Sequence, residues 1–132
     1  MTHHDRRWTI TLLSFAASLL LTPYCFAQAP TLSRMEGRYA ISVERCLRQA
    51  TRAFESRGYR VTDVYEANHL VYGIHGTEVA AIACNEAPGG TTWVNVVVAS
   101  LTLGGDVTQR DSKSLRDEME RLARERWDRD RR

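Results

Sequence analysis

Residues Tyr59 to Leu103 constrain the chain most, because they form a run of strand-like segments broken by short turns, with Cys84 near the middle. Tyr59–Glu66 (YRVTDVYE) is rich in β-branched and aromatic residues and predicts a first strand. Ala67-Asn68 reads as a turn and His69–His75 (HLVYGIH) as a second strand. A two-residue turn follows, at either His75-Gly76 or Gly76-Thr77, and Glu78–Asn85 (EVAAIACN) predicts a third strand. Both turns sort the side chains alike, because strand residues alternate between faces. One face collects His69, Val71, Gly73, Ala80, Ile82 and Cys84, and the other Leu70, Tyr72, Ile74, Val79, Ala81 and Ala83. Pro88-Gly89-Gly90 marks the next turn. Thr91–Leu103 predicts a fourth strand, with Val94, Val96 and Val98 on one face and Trp93, Asn95, Val97 and Ala99 on the other.

Helical patterns flank this run. Ser33 and Glu36 match a capping box, so a helix is expected from Arg34, or from near Ser42 because Gly37 weakens the first turn. Met35, Tyr39, Val43, Cys46, Leu47, Ala50 and Phe54 recur at steps of three and four, one stripe on a helix that Gly58 would end. After Gly104-Gly105 a last helix is expected, capped by Asp111, Ser112 or Ser114. Its stripe is Leu115, Met119, Leu122 and Ala123, and three acid-to-base pairs four apart support it: Asp117–Arg121, Glu120–Arg124 and Glu125–Arg129. The fold class is therefore α+β: a four-stranded antiparallel sheet flanked in sequence by an N-terminal and a C-terminal helix.

The first 27 residues read as a secretory signal peptide and residues 28–132 as a single domain. Arg6 and Arg7 precede an uncharged apolar run, Trp8–Thr22, and Ala27 ends a small-residue cleavage pattern. The run is shorter than the ~20 residues of a membrane-spanning helix. Tyr24 before Cys25 lacks the small residue that precedes a lipidated cysteine, so no stable membrane anchor is expected after cleavage. A periplasmic or secreted location follows. Cleavage leaves two cysteines, Cys46 and Cys84, 38 positions apart, and an oxidising compartment predicts a disulfide between them. That bridge contributes roughly 4 kcal/mol in the chain-entropy account. It also forces the first helix onto the face holding Val71, Ala80 and Ile82.

Composition narrows function mainly by exclusion. The chain has 18 basic and 16 acidic side chains; setting aside Arg6, Arg7 and Asp5 leaves 16 and 15, no basis for a nucleic-acid partner. His69 and His75, six apart on one strand, stand about 20 Å from each other and do not share a metal ion. His75 and Glu78 read instead as a polar pair at a hairpin end. No serine nucleophile motif is present, a bridged cysteine offers no thiolate, and the spacing of Asp63, Glu66, Glu78 and Glu86 sets no pair across a cleft. The Gly-Gly pairs lack the flanks of a phosphate loop, so no catalytic residue, metal or cofactor is assigned.

The second sheet face is left as the functional signal: Tyr72, Ile74, Val79 and Ala81, with Trp93 and Val97. Either the last helix covers it, or it is an interaction surface for a protein partner or a second copy. Trp127 is a lesser candidate anchor.

The order Cys46-Leu47 on a helical stripe, Gly58-Tyr59, Val71-Tyr72-Gly73, Ala80-Ala81-Ile82-Ala83-Cys84, a valine-rich strand and a last helix resembles small exported bacterial helix–sheet–helix proteins of unknown function. The resemblance implies no activity and no site residues. The arrangement is also similar to that of cystatins, one helix across an antiparallel sheet, without a cystatin-like inhibitory loop. A non-catalytic binding or accessory protein, of immunity or inhibitor type, is the leading expectation, and a small envelope enzyme the alternative.

Overall fold

The computed structural model describes residues 30–129, with side chains through residue 125. The expected signal peptide and the Trp127 side chain lie outside the described residues. The elements are β1 (Thr31–Tyr39), α1 (Val43–Ser56), β2 (Arg60–Tyr65), a 3-10 turn (Glu66–Asn68), β3 (Leu70–His75), β4 (Glu78–Ala87), β5 (Thr91–Ser100) and α2 (Gly105–Arg129). The protein is α+β, as expected, but the sheet has five antiparallel strands, in the order β1-β5-β4-β3-β2, rather than four.

The extra strand is β1, where a helix was an open expectation from Arg34. Steps of four, Met35 to Tyr39 to Val43, are even, so they fit one face of a strand as well as one face of a helix. What decides is β5, which pairs with β1 over nine consecutive residues, Thr31↔Ser100 to Tyr39↔Thr92. Ser33 and Glu36 therefore do not form a capping box; the Ser33 hydroxyl instead meets that of Ser112 at 2.8 Å. Gly37 weakens a strand interior as it weakens a helix, and the Tyr39 ring lies over it where a Cβ would otherwise stand. Helix α1 begins after Ser42, whose Oγ accepts from the Arg45 amide at 3.3 Å.

The far end of α1 is built as its sequence predicts. Gly58, at φ +78°, lets the Tyr59 amide donate to Phe54 O at 2.9 Å and the Gly58 amide donate to Glu55 O at 3.1 Å. Those two bonds are a Schellman closure, and the Phe54 and Tyr59 rings make its apolar contact, 5.4 Å between centroids. Of the two turns considered after β3, the pairing of His75 with Glu78 selects Gly76-Thr77, with Gly76 at φ +58°.

Cys46 and Cys84 are bridged, with Cα atoms 6.0 Å apart and no solvent exposure. The bridge holds α1 on the face carrying Val71, Ala80, Ile82, Val94, Val96 and Val98, all buried. Gly73 gives the close approach, since a Cβ there would stand 3.0 Å from the Phe54 ring. Helix α2 packs beside α1 on the same face, over β1 and β5. Gln49 Nε2 donates to Leu122 O at 2.9 Å across the helix–helix seam. α2 starts at Gly105, well before the expected caps, because Thr108 and Ser112 extend its buried stripe upstream of Leu115. Their hydroxyls donate back to Gly105 O and Gln109 O, so burial leaves them satisfied. Asp117 pairs with Lys113 and Arg116 rather than Arg121, and Arg121 takes Glu118 and Glu125. The Glu120–Arg124 pair forms as expected. No described helix is long and apolar enough to cross a membrane.

Candidate functional site

Because both helices lie on one face of the sheet, no described element covers the other. The last helix therefore does not cap the apolar face, which was one of the two sequence readings. The register fixes what that face presents. One cross-strand row runs Leu32–Ala99–Val79–Ile74–Arg60 and the next Arg34–Val97–Ala81–Tyr72–Asp63. A third runs Glu36–Asn95–Ala83–Leu70–Tyr65, and Arg38, Trp93 and Asn85 begin a fourth. All six candidate residues, Tyr72, Ile74, Val79, Ala81, Trp93 and Val97, stand together on it. Val79 keeps 50% of its surface exposed and Trp93 42%; the other four are half-buried among their neighbours.

Strand β1 adds residues that the helical reading of this segment missed: Leu32, 66% exposed, and Arg34, Glu36 and Arg38. The strict alternation of burial along Thr31–Tyr39 is the signal that finds them. Arg34 donates to Asn95 Oδ1 at 2.7 Å and pairs with Glu36 at 2.6 Å. Arg38 lies 5.9 Å from the centroid of Trp93 and donates to Pro88 O and Thr91 Oγ1. On the opposite border the Tyr65 and Tyr72 rings meet edge to face at 5.7 Å. They line a trough of about 380 Å³ with Asp63, Leu70, Ile74 and Val79. Hydrogen bonding to the Asp63 carboxylate raises the Tyr65 phenol above its ordinary pKa. Between these borders the middle strand β4 presents the small Ala81 and Ala83 beside the half-exposed Val79.

A second concavity, about 620 Å³, lies between α1 and the end of β2, with Val43, Leu47 and Val64 as apolar walls and Glu66 and His69 at the rim. His69 holds a left-handed backbone, φ 54°, uncommon for a residue with a side chain, and its carbonyl accepts from the Cys84 amide at 2.9 Å. The Glu44 and Arg48 side chains pair with each other beside it. Among the described residues no three His, Cys, Asp or Glu side chains stand close enough to hold a metal ion.

A third cluster is built on the His75–Glu78 pair expected at the hairpin end, with Tyr59 and Asp111 added from other elements. Glu78, at the hairpin end, is 1% exposed and accepts from Tyr59 Oη at 2.8 Å; His75 Nδ1 stands 3.8 Å away. Burial, with Asp111 of α2 close by, raises the Glu78 carboxyl above the usual carboxylate range. Burial and the bond to Glu78 also raise the Tyr59 phenol. The Schellman turn positions the Tyr59 hydroxyl on Glu78 Oε2, the exposed His75 ring stands beside it, and Glu78 Oε1 is buried without a hydrogen-bond partner among the described residues.

Neither a protein-family model nor a curated protein matches the chain.

Proposed function

We propose that the chain is exported and acts as a non-catalytic periplasmic or secreted binding or accessory protein, of immunity or inhibitor type, through the open face of its sheet. The observation that carries this reading is the placement of both helices on one side. An apolar face with Tyr, Trp and Arg at its borders then has no cover among the described residues. Soluble proteins seldom leave a contiguous apolar patch of several hundred Å² without a use for it. Interface anchors are enriched in the same three residue types. The buried disulfide suits an oxidising compartment.

The alternative, a small envelope enzyme, draws support from the cleft beside His69, whose volume falls in the ligand range of about 300–1,000 Å³. The two readings separate by mutation in the producing cell. A photo-crosslinking residue at Val97 is expected to capture a protein that the same residue at Arg52, on the solvent side of α1, does not. A companion Val79→Arg substitution is expected to abolish that capture, and His69→Ala to leave it intact. Equal labelling from Val97 and Arg52 would remove the binding reading.

A further inference from the structure

We infer that the partner of the open face is a second copy of this chain, packed sheet to sheet about a two-fold axis that runs along β4. This inference rests on the open face being the binding surface and names its occupant. The first ground is that sheet extension is disfavoured at both edges. β2 is six residues long with a bulge between Val61 and Asp63, and β1 turns Arg34, Glu36 and Arg38 outward on the open side. Short, bulged and charged strands are the devices that stop edge-to-edge pairing. Association is left to the face.

The second ground is size. Five strands at ~4.8 Å spacing and four rows at ~6.7 Å give a face of about 600 Å² per copy, or about 1,200 Å² in all. Specific interfaces begin near this total, and crystal-packing contacts mostly stay below about 800 Å². On β4, at the axis, the small Ala81 and Ala83 follow the half-exposed Val79, which lets two such sheets approach to the ~10 Å of a sandwich.

The third ground is self-complementarity, which a two-fold interface demands. β4 is the middle strand, so rotation about it lays β1 of one copy over β2 of the other. Arg34 and Asp63 occupy opposite ends of one row, Arg34–Val97–Ala81–Tyr72–Asp63. The rotation brings each Arg34 over the Asp63 of the other copy, beside the Tyr65 and Tyr72 rings. Aligned sheets cross at about 30° rather than 0°. At two strand spacings from the axis, about 10 Å, that skew displaces the pair by about 5 Å, within the length of an arginine side chain. The two Arg–Asp contacts lie at the rim, where they fix register more than affinity.

The test is sedimentation equilibrium on protein recovered from the envelope after expression of the full chain, from about 1 to 500 µM, a range that brackets micromolar dissociation. Reversible dimers are expected, with Val97→Arg weakening them at least about 100-fold while the melting temperature of the dilute protein is kept. Arg34→Asp and Asp63→Arg are each expected to weaken the dimer about tenfold, and the double exchange to restore it. A monomer throughout the range overturns the inference, as does a dimer indifferent to Val97→Arg. A dimer that Val97→Arg breaks but the double exchange does not rescue overturns the axis. A monomer whose Val97 still crosslinks a different protein removes the second copy and leaves the binding reading in place; a monomer with no Val97-specific crosslink removes both.

Discussion

The two faces of the sheet are made from the same strands and the same residue types, yet they have opposite fates. Val96 and Val97 are neighbours in β5; Val96 is wholly buried under the helices, and Val97 stands half-open on the bare side. Small residues occur on both faces as well. Gly73 and Ala80 lie buried on the helix side, where the lack of a Cβ at Gly73 admits the Phe54 ring, whereas Ala81 and Ala83 have no helix above them. Apolar alternation alone therefore does not say which face is the core. The covalent tie from Cys46 to Cys84 does, by placing α1, and α2 follows it onto the same side through Gln49 and Ser56.

Removing that tie is the most severe way to test the difference. A Cys46→Ala/Cys84→Ala variant is expected to lose roughly 3–4 kcal/mol of unfolding free energy in urea titrations. A loss under about 1 kcal/mol would mean that burial alone holds α1 in place and that the bridge is incidental.

The adjacent valines test the faces directly. Val96→Ala removes two methyl-sized groups from a closed core and is expected to cost about 2–3 kcal/mol, transfer and cavity together. Val97→Ala, on the half-open side, is expected to cost less than about 1 kcal/mol in dilute protein. Equal costs would show that both faces are enclosed.

The covered side also holds two nearly buried carboxylates in opposite surroundings, which a pH series separates. Glu118, 4% exposed, accepts from Ser56 Oγ at 3.0 Å and from Arg121 and Arg57. Hydrogen bonding from Arg121, then Ser56, holds its carboxyl down at about 2. A depressed carboxylate contributes stability that is full above the ordinary value, ~4.3, and is lost as pH falls from there toward 2. Glu78 has the reverse sign. Its raised carboxyl stays protonated where the unfolded chain has already ionised, so its contribution is full below ~4.3 and declines as pH rises through its folded value. Glu118→Gln should lower stability at pH 7 by roughly 1–3 kcal/mol and flatten the acid limb. Glu78→Gln should leave stability at pH 7 unchanged or raised and flatten the opposite slope. Both slopes are read from denaturation midpoints between pH 2 and about 8.

Parts of this architecture were legible before any coordinates, and the reasons for the rest are physical. Strand segments β2 to β5, the two faces of β3, β4 and β5, and the Cys46–Cys84 pairing follow from local alternation and from the expectation that an oxidising compartment pairs the two cysteines. β1 was hidden because Met35, Tyr39 and Val43 fit both periods, while the pairing that settles the matter comes from β5, more than fifty residues downstream. The start of α2 was hidden because Thr108 and Ser112 look like surface residues until their hydroxyls fold back on the helix. The His75–Glu78 pair is legible at the hairpin end, but the burial of Glu78 is not, because its other partners, Tyr59 and Asp111, come from other elements. Alternation places Tyr72, Ile74, Val79, Ala81, Trp93 and Val97 on one face, whereas its Arg34, Glu36 and Arg38 border lies on β1 and depends on the same long-range pairing.

The smallest expected effect bears on the bare face alone. Val79 is half exposed, opposite Ile74 and Ala99. A Val79→Lys change gives up a fraction of one apolar side chain's burial. The lysine stem recovers some of it by lying along Ile74 with its ammonium in water. The net change in unfolding free energy of dilute protein is expected to stay within about 0.5 kcal/mol. A larger loss, beyond about 2 kcal/mol, requires that the lysine be pushed into a desolvated space, since only an enclosed charge costs so much. Such a value would mean that part of the folded chain already covers Val79, and the contrast between the two faces would then be one of degree.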